Sequence, residues 1–175
     1  MYAKSLPQFA DGKLYGCLIE FSTIAQDWAY KQGGFISVAG SFGVMATGGK
    51  YSTTLKVIIN DIALPTLTTT PSPPASAFFV SKSWTSRERL VASSPSDIPG
   101  AIFVVFQPDV IEKVLKALEN DRVDIVFNRK PGGADVPISI DTSVEETLPD
   151  GSKKRSMTAT LEFLDCAQRV IGALK

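Results

Sequence analysis

The chain has 175 residues, 44% of them hydrophobic, with 18 basic and 18 acidic side chains, two cysteines and no histidine. That length suits one domain, residues 1–175, with a sizeable core, and the balanced charge supplies no long-range field to draw in nucleic acid or an anionic membrane. The missing histidine excludes Ser-His-Asp and Cys-His catalysis and the commonest zinc and non-haem iron sites, and two cysteines are too few for a thiolate zinc centre, so no metal or cofactor is expected.

The first 12 residues show little periodicity and read as an arm. Lys-Leu-Tyr-Gly-Cys-Leu-Ile-Glu-Phe at 13–21 suits a strand, and residues 23–32, with Trp28 and Tyr30, suit a loop or one or two helical turns. Short strands follow at 35–39 and 42–46 around Gly40-Ser41, and at 53–60, where Leu55, Val57 and Ile59 alternate with Lys56, Ile58 and Asn60. Short strands with glycine turns between them describe an antiparallel meander. Residues 64–76 are rich in proline and threonine, and proline cannot donate to a sheet ladder, so this stretch is expected to be an exposed loop between strands rather than a domain linker. Residues 77–80 and 88–92 are expected to pair as a hairpin around Trp-Thr-Ser-Arg at 84–87, with residues 93–100 as a loop.

The clearest local pattern runs from 101 to 128. Ala-Ile-Phe-Val-Val-Phe at 101–106 is apolar on both faces and reads as a covered strand inside a sheet. Pro108, Asp109 and Glu112 then mark a helix start, and Val110, Ile111, Val114, Leu115 and Leu118 share one arc, which predicts a surface helix over 109–119. Asn120 suits the left-handed residue that ends it. Residues 122–128 alternate as a strand, and a parallel crossover between this strand and 101–106 is permitted by the helix between them. Lys-Pro-Gly-Gly at 130–133 joins it to a strand at 136–141, and Pro-Asp-Gly at 149–151 turns a charged hairpin within 142–157. A last helix over 160–174 carries Leu161, Phe163, Leu164, Ala167, Val170, Ile171 and Leu174 on its apolar arc. The expected class is α+β: mainly antiparallel β-sandwich or partly closed barrel, with the two helices packed on it.

No chemical motif stands out. Gly-Gly-Lys at 48–50 approximates a phosphate loop but precedes a strand, and Ser41 in Ala-Gly-Ser-Phe-Gly has no histidine to activate it, so both read as turns. Asp121 with Asp124, or Glu145 with Glu146, are candidate carboxylate pairs that otherwise read as solvated charge. Phe78, Phe79 and Trp84 beside Lys82, Arg87 and Arg89 match the pattern of a single-strand nucleic-acid platform, against the commoner role of aromatics in a core.

The order of parts from Ala77 onward, with Gln-Pro-Asp-Val at 107–110, Leu-Lys-Ala-Leu at 115–118 and Val-Pro-Ile-Ser-Ile at 136–140, resembles the invasion-associated locus B family of secreted or periplasmic bacterial domains. The resemblance spans little more than a third of the chain. It differs in lacking the family's cysteine pair in the strands before the helix. It implies an exported, non-enzymatic binding domain whose partner is another protein or a cell-surface component. Two alternatives are a metal-free enzyme built on carboxylate or tyrosine, such as Asp124 or Tyr51, and a single-stranded nucleic-acid module at residues 82–89. Since the N-terminus carries no basic, apolar leader, an exported form is expected to have lost one. Cys17, on the first strand, and Cys166, at the edge of the last helix, are expected to form a disulfide tying the two ends of the domain together, the alternative being two separate buried thiols.

Overall fold

The computed structural model describes residues 2–147 and 149–174. A four-strand meander opens the chain: β1 (Tyr2–Ala10), β2 (Lys13–Asp27), β3 (Gly34–Thr47) and β4 (Lys50–Ala63). β5 (Thr68–Pro71) folds back onto the end of β4, and β6 (Ser76–Ser81) with the two-residue β7 (Trp84–Thr85) begins a second sheet. The hairpin of β8 (Leu90–Pro95) and β9 (Ala101–Phe106) returns to the first sheet, beside β4. Helix α1 (Val110–Leu118) leads to β10 (Arg122–Asn128) and β11 (Val136–Asp141), which complete the second sheet. A small hairpin, β12 (Val144–Thr147) and β13 (Lys153–Ser156), precedes helix α2 (Thr158–Gly172).

The large sheet has the order β1-β2-β3-β4-β9-β8, with β5 also on β4, and the small one β11-β10-β6-β7. Every pairing among the described residues is antiparallel. The architecture is therefore α+β and mainly antiparallel, with two packed helices. It is a layered arrangement rather than a closed barrel, because β1 and β8 stand at opposite edges of the large sheet.

Alternation of side chains along each strand supplies one buried face: Cys17, Ile19 and Phe21 on β2, Ile36, Val38, Phe42 and Val44 on β3, Leu55, Val57 and Ile59 on β4. The small sheet and α2 share the covering of this face. Phe42 lies where the two covers meet, with ring centroids 6.0 Å from Phe79 of β6 and 6.3 Å from Phe163 of α2. Phe79 in turn lies 5.6 Å from Phe106 of β9.

Several expectations are corrected. The supposed N-terminal arm is β1, whose Ala3 and Ser5 are buried while Lys4 is exposed; a small-residue alternation lacks the apolar contrast that marks a strand in sequence. Residues 23–27 continue β2, leaving only a turn before β3. Gly40 and Gly43 lie inside one long strand rather than in a turn, because a Cβ at either would come within 1.9 Å of the Lys56 carbonyl or 2.0 Å of the Cys17 carbonyl. Part of the 64–76 stretch is β5, fully exposed and paired through its backbone. Residues 88–92 do not pair with 77–80: Ser86, wholly buried, accepts from the Phe79 amide and donates its own amide back to Phe79, ending the hairpin early. The chain then crosses to the large sheet as β8. Since β9 and β10 lie in different sheets, they form no parallel crossover unit. Asp121, at φ 53°, takes the left-handed position expected of Asn120, and Leu161 faces solvent because the buried stripe of α2 is Ala159, Thr160, Phe163, Cys166, Ala167 and Val170.

Cys17 and Cys166 are joined by a disulfide, their Cα atoms 5.9 Å apart across 149 residues of sequence. The bond fastens the middle of α2 to β2. Closing so long a loop restricts the unfolded chain most. The Cys17→Ala/Cys166→Ala variant is expected to unfold in urea with a free energy lower than oxidised wild type by up to about 5 kcal/mol. A difference below about 1 kcal/mol would mean that packing alone holds α2 in place.

Candidate functional site

Three features gather chemistry around the small sheet. The first is a buried ion cluster immediately after β10. Arg129 has 8% of its side chain exposed, and its Nε donates to Asp27 Oδ2 at 2.6 Å, its Nη2 to Asp61 Oδ1 at 2.7 Å and its Nη1 to Ser72 Oγ. Asp27, at the end of β2, is wholly buried, and its other oxygen accepts the Tyr30 amide at 2.9 Å. Lys31 Nζ lies 2.7 Å from the second oxygen of Asp61. Two cations meet two carboxylates, and all three guanidinium nitrogens are engaged. The cluster holds structure together and presents no spare group for chemistry. Burial opposes ionisation of Asp61, but the hydrogen bonds and charges of Lys31 and Arg129 outweigh it and hold the carboxyl below its ordinary value. Tyr30 extends the clamp, its hydroxyl donating to the Ala134 carbonyl at 2.8 Å, and Gly133 is required there because a Cβ would sit 2.2 Å from that hydroxyl.

The second feature is a cleft of about 240 Å³ where β6 faces the β8–β9 hairpin. Phe78, Leu90, Val104 and Phe106 give it apolar walls, while Ser76, Arg87, Ser93 and Asn128 give it a polar lip. The lip is fixed by a relay: Ser76 donates to Asn128 Oδ1 at 2.7 Å, Asn128 Nδ2 donates to Asp135 at 2.6 Å, and Arg87 donates to the same Asp135 oxygen at 2.9 Å. The Arg87 guanidinium carbon stands 4.2 Å above the Phe78 ring, a cation–π contact. On the solvent side Leu90 and Val91 of the edge strand β8 are 50% and 62% exposed.

The third is a groove of about 290 Å³ between α1 and the β6–β7–β10 surface. Phe79, Val80, Val114 and Val123 form its floor, and Trp84, Lys113, Lys116, Asn120 and Asp124 its sides.

The structure sorts the residues singled out from sequence. Asp124 accepts from Arg122 Nε at 2.9 Å and Ser139 Oγ at 2.7 Å and borders the groove, whereas Tyr51 lies on β4 of the other sheet and does not line it. Asp121 serves the turn after α1 rather than a shared site with Asp124; its carbonyl accepts the Thr142 amide at 2.8 Å. Glu145 pairs with Lys153 at 2.6 Å, and the Glu146 side chain lies outside the described residues. Phe78 and Phe79 are buried, and Arg87 and Arg89 are paired with Asp135 and Asp109, so the proposed stacking platform is reduced to Trp84 and Lys82. Gly48 and Gly49, at φ 59° and 75°, form the two-residue turn between β3 and β4, and Ser41 sits within β3. Among the described residues no group of three or more Cys, Asp or Glu is placed to hold a metal ion, and no helix is long and apolar enough to cross a membrane.

No family model, curated protein or solved structure matches the chain. The site rests on geometry alone.

Arg129, Asp27 and Asp61 gave no local signal, since they are 102 and 68 residues apart in pairs. Removing the guanidinium leaves Asp27 buried without its cation, so Arg129→Met is expected to lower stability by about 3–5 kcal/mol, and adding Asp27→Leu is expected to recover a large part of the loss. Denaturant unfolding of both variants checks this. Because the folded carboxyl of Asp61 is depressed, its stabilising contribution is complete above the unfolded value of about 3.9 and is lost as pH falls through the folded one. Unfolding from pH 5 to pH 2 should therefore show a steeper loss in wild type than in Asp61→Asn.

Proposed function

We propose that the chain is an exported, non-enzymatic binding domain that takes an apolar side chain of another protein's extended segment in the cleft between β6 and the β8–β9 hairpin. The observation that carries this reading is the recess walled by the buried side chains of Phe78, Val104 and Phe106, its mouth bordered by exposed Leu90 with exposed Val91 next to it. A recess of about 240 Å³ suits one large side chain, and the fixed relay from Ser76 to Arg87 places hydrogen-bonding groups at its mouth. Such a preformed site loses little entropy on binding.

The edge of β8 narrows the mode of recognition. Its register shifts between Leu90 and Ala92, and Pro95 cannot donate to an added strand, so long strand addition is blocked. Side-chain insertion is the dominant contact, with a short main-chain contact near Ser93. The Cys17–Cys166 bond supports export, because structural disulfides persist in oxidising compartments, and the resemblance to the invasion-associated locus B family points the same way.

Selection from a random 12-residue peptide display library tests the binding reading. Wild type is expected to enrich sequences sharing one large apolar residue, and Leu90→Arg, which puts charge at the cleft wall on an exposed strand, is expected to weaken the enriched peptides at least tenfold. Absence of enrichment, or equal binding by Leu90→Arg, would overturn it. Thiol alkylation without reductant tests export: chain recovered from the periplasm or medium of its source should take up no label.

A further inference from the structure

The groove between α1 and the β6–β7 hairpin carries an unbalanced charge in a molecule whose total charge is balanced. Lys113 and Lys116 stand one helical turn apart on α1 and both line it, and Lys82 lies on the turn between Ser81 and Ser83, which line it from the opposite side. Among the described residues, none of these three lysines makes an ion pair. The carboxylate in the groove, Asp124, is already matched by Arg122 and Ser139. Beneath the lysines, Trp84 is half-buried and Val114 and Phe79 are buried. The recess thus offers an apolar floor under a rim of unpaired cations.

We infer that this groove is a second binding site, separate from the cleft, for an acidic polypeptide segment that lays an apolar side chain against Trp84 and its carboxylates against Lys113 and Lys116. Charge complementarity selects the occupant: an anionic partner gains the two ammonium groups that line the groove without having to displace an acid already paired to them. A nucleic-acid strand fits less well. It needs several open aromatic faces, but Phe78 and Phe79 are buried, which leaves Trp84 as the one accessible ring among the aromatic residues of the β6–β7 hairpin.

The probe is a fluorescein-labelled ten-residue Gly/Ser peptide with four glutamates around a central leucine, titrated at 20 mM and 200 mM salt. The same peptide with glutamines in place of the glutamates is the control, and a ten-nucleotide oligothymidine is the competitor. Saturable binding of the acidic peptide is expected, weaker at the higher salt, with quenching or a shift of tryptophan emission that Trp84→Phe removes. Lys113→Gln/Lys116→Gln should weaken it roughly three- to tenfold, and both lysines are exposed, so the melting temperature should not move. Leu90→Arg should leave it unchanged, which separates this site from the cleft. Equal binding of the glutamine peptide, no effect of the double lysine variant, or tighter binding of the oligonucleotide would each overturn the inference. So would sedimentation showing that the groove is closed by a second copy of the chain.

Discussion

A guanidinium removed from water has to be matched on every side, and Arg129 is matched by groups drawn from three other places in the chain. Asp27 comes from the end of β2, Asp61 from β4 and Ser72 from the connection between the sheets, while Arg129 itself follows the last residue of β10. The pair cannot form unless the small sheet lies at one angle and depth over the large one. A buried ion pair of this kind adds little to stability relative to an apolar replacement, because desolvation offsets its attraction. Its effect here is positional. Asn128 is the neighbouring residue, and through Asp135 it fixes Arg87 over Phe78, so the lip of the cleft hangs from the same anchor.

Stability has a different source. Burying a phenylalanine is worth about 1.5–3 kcal/mol, and an aromatic pair adds about 0.5–1.5. Phe21, Phe42, Phe79, Phe106 and Phe163 are all buried and linked in a chain of ring contacts through both covers of the large sheet. The burial term is not directional and by itself leaves the relative placement of the layers loosely specified. The charges do not. Together they divide the task, one holding the layers together and the other setting how they are placed.

That division explains what could be read from the sequence. The stretch from β9 through α1 to β11 was legible because each step is local: apolar period, helix start, alternation and a glycine turn. Val110, Ile111, Val114 and Leu118 are buried as their arc required, and β10 and β11 pair as the Lys-Pro-Gly-Gly turn implied. The destination of β8 was not legible. Its residues are all exposed and carry no face to match, and the deciding contact is a buried serine bonded to Phe79. For the same reason neither recess could be found in advance. The cleft combines residues from 76 to 133, the groove residues from 79 to 124, and each wall is amphipathic only in the context of the other sheet or helix.

The two recesses share one strand and divide it along its length: Ser76 to Phe78 line the cleft, and Phe79 to Ser81 line the groove. Trp84 and Arg87, which serve the groove and the cleft, flank Ser86, whose two bonds to Phe79 hold the hairpin in a single arrangement. Coupling between sites needs an element with two arrangements that each ligand favours differently. A hairpin fixed by a buried reciprocal hydrogen bond offers one. The geometry therefore gives an occupant proposed for the cleft no lever on one proposed for the groove, and a single extended partner reaching both would gain avidity set by the length of chain between them.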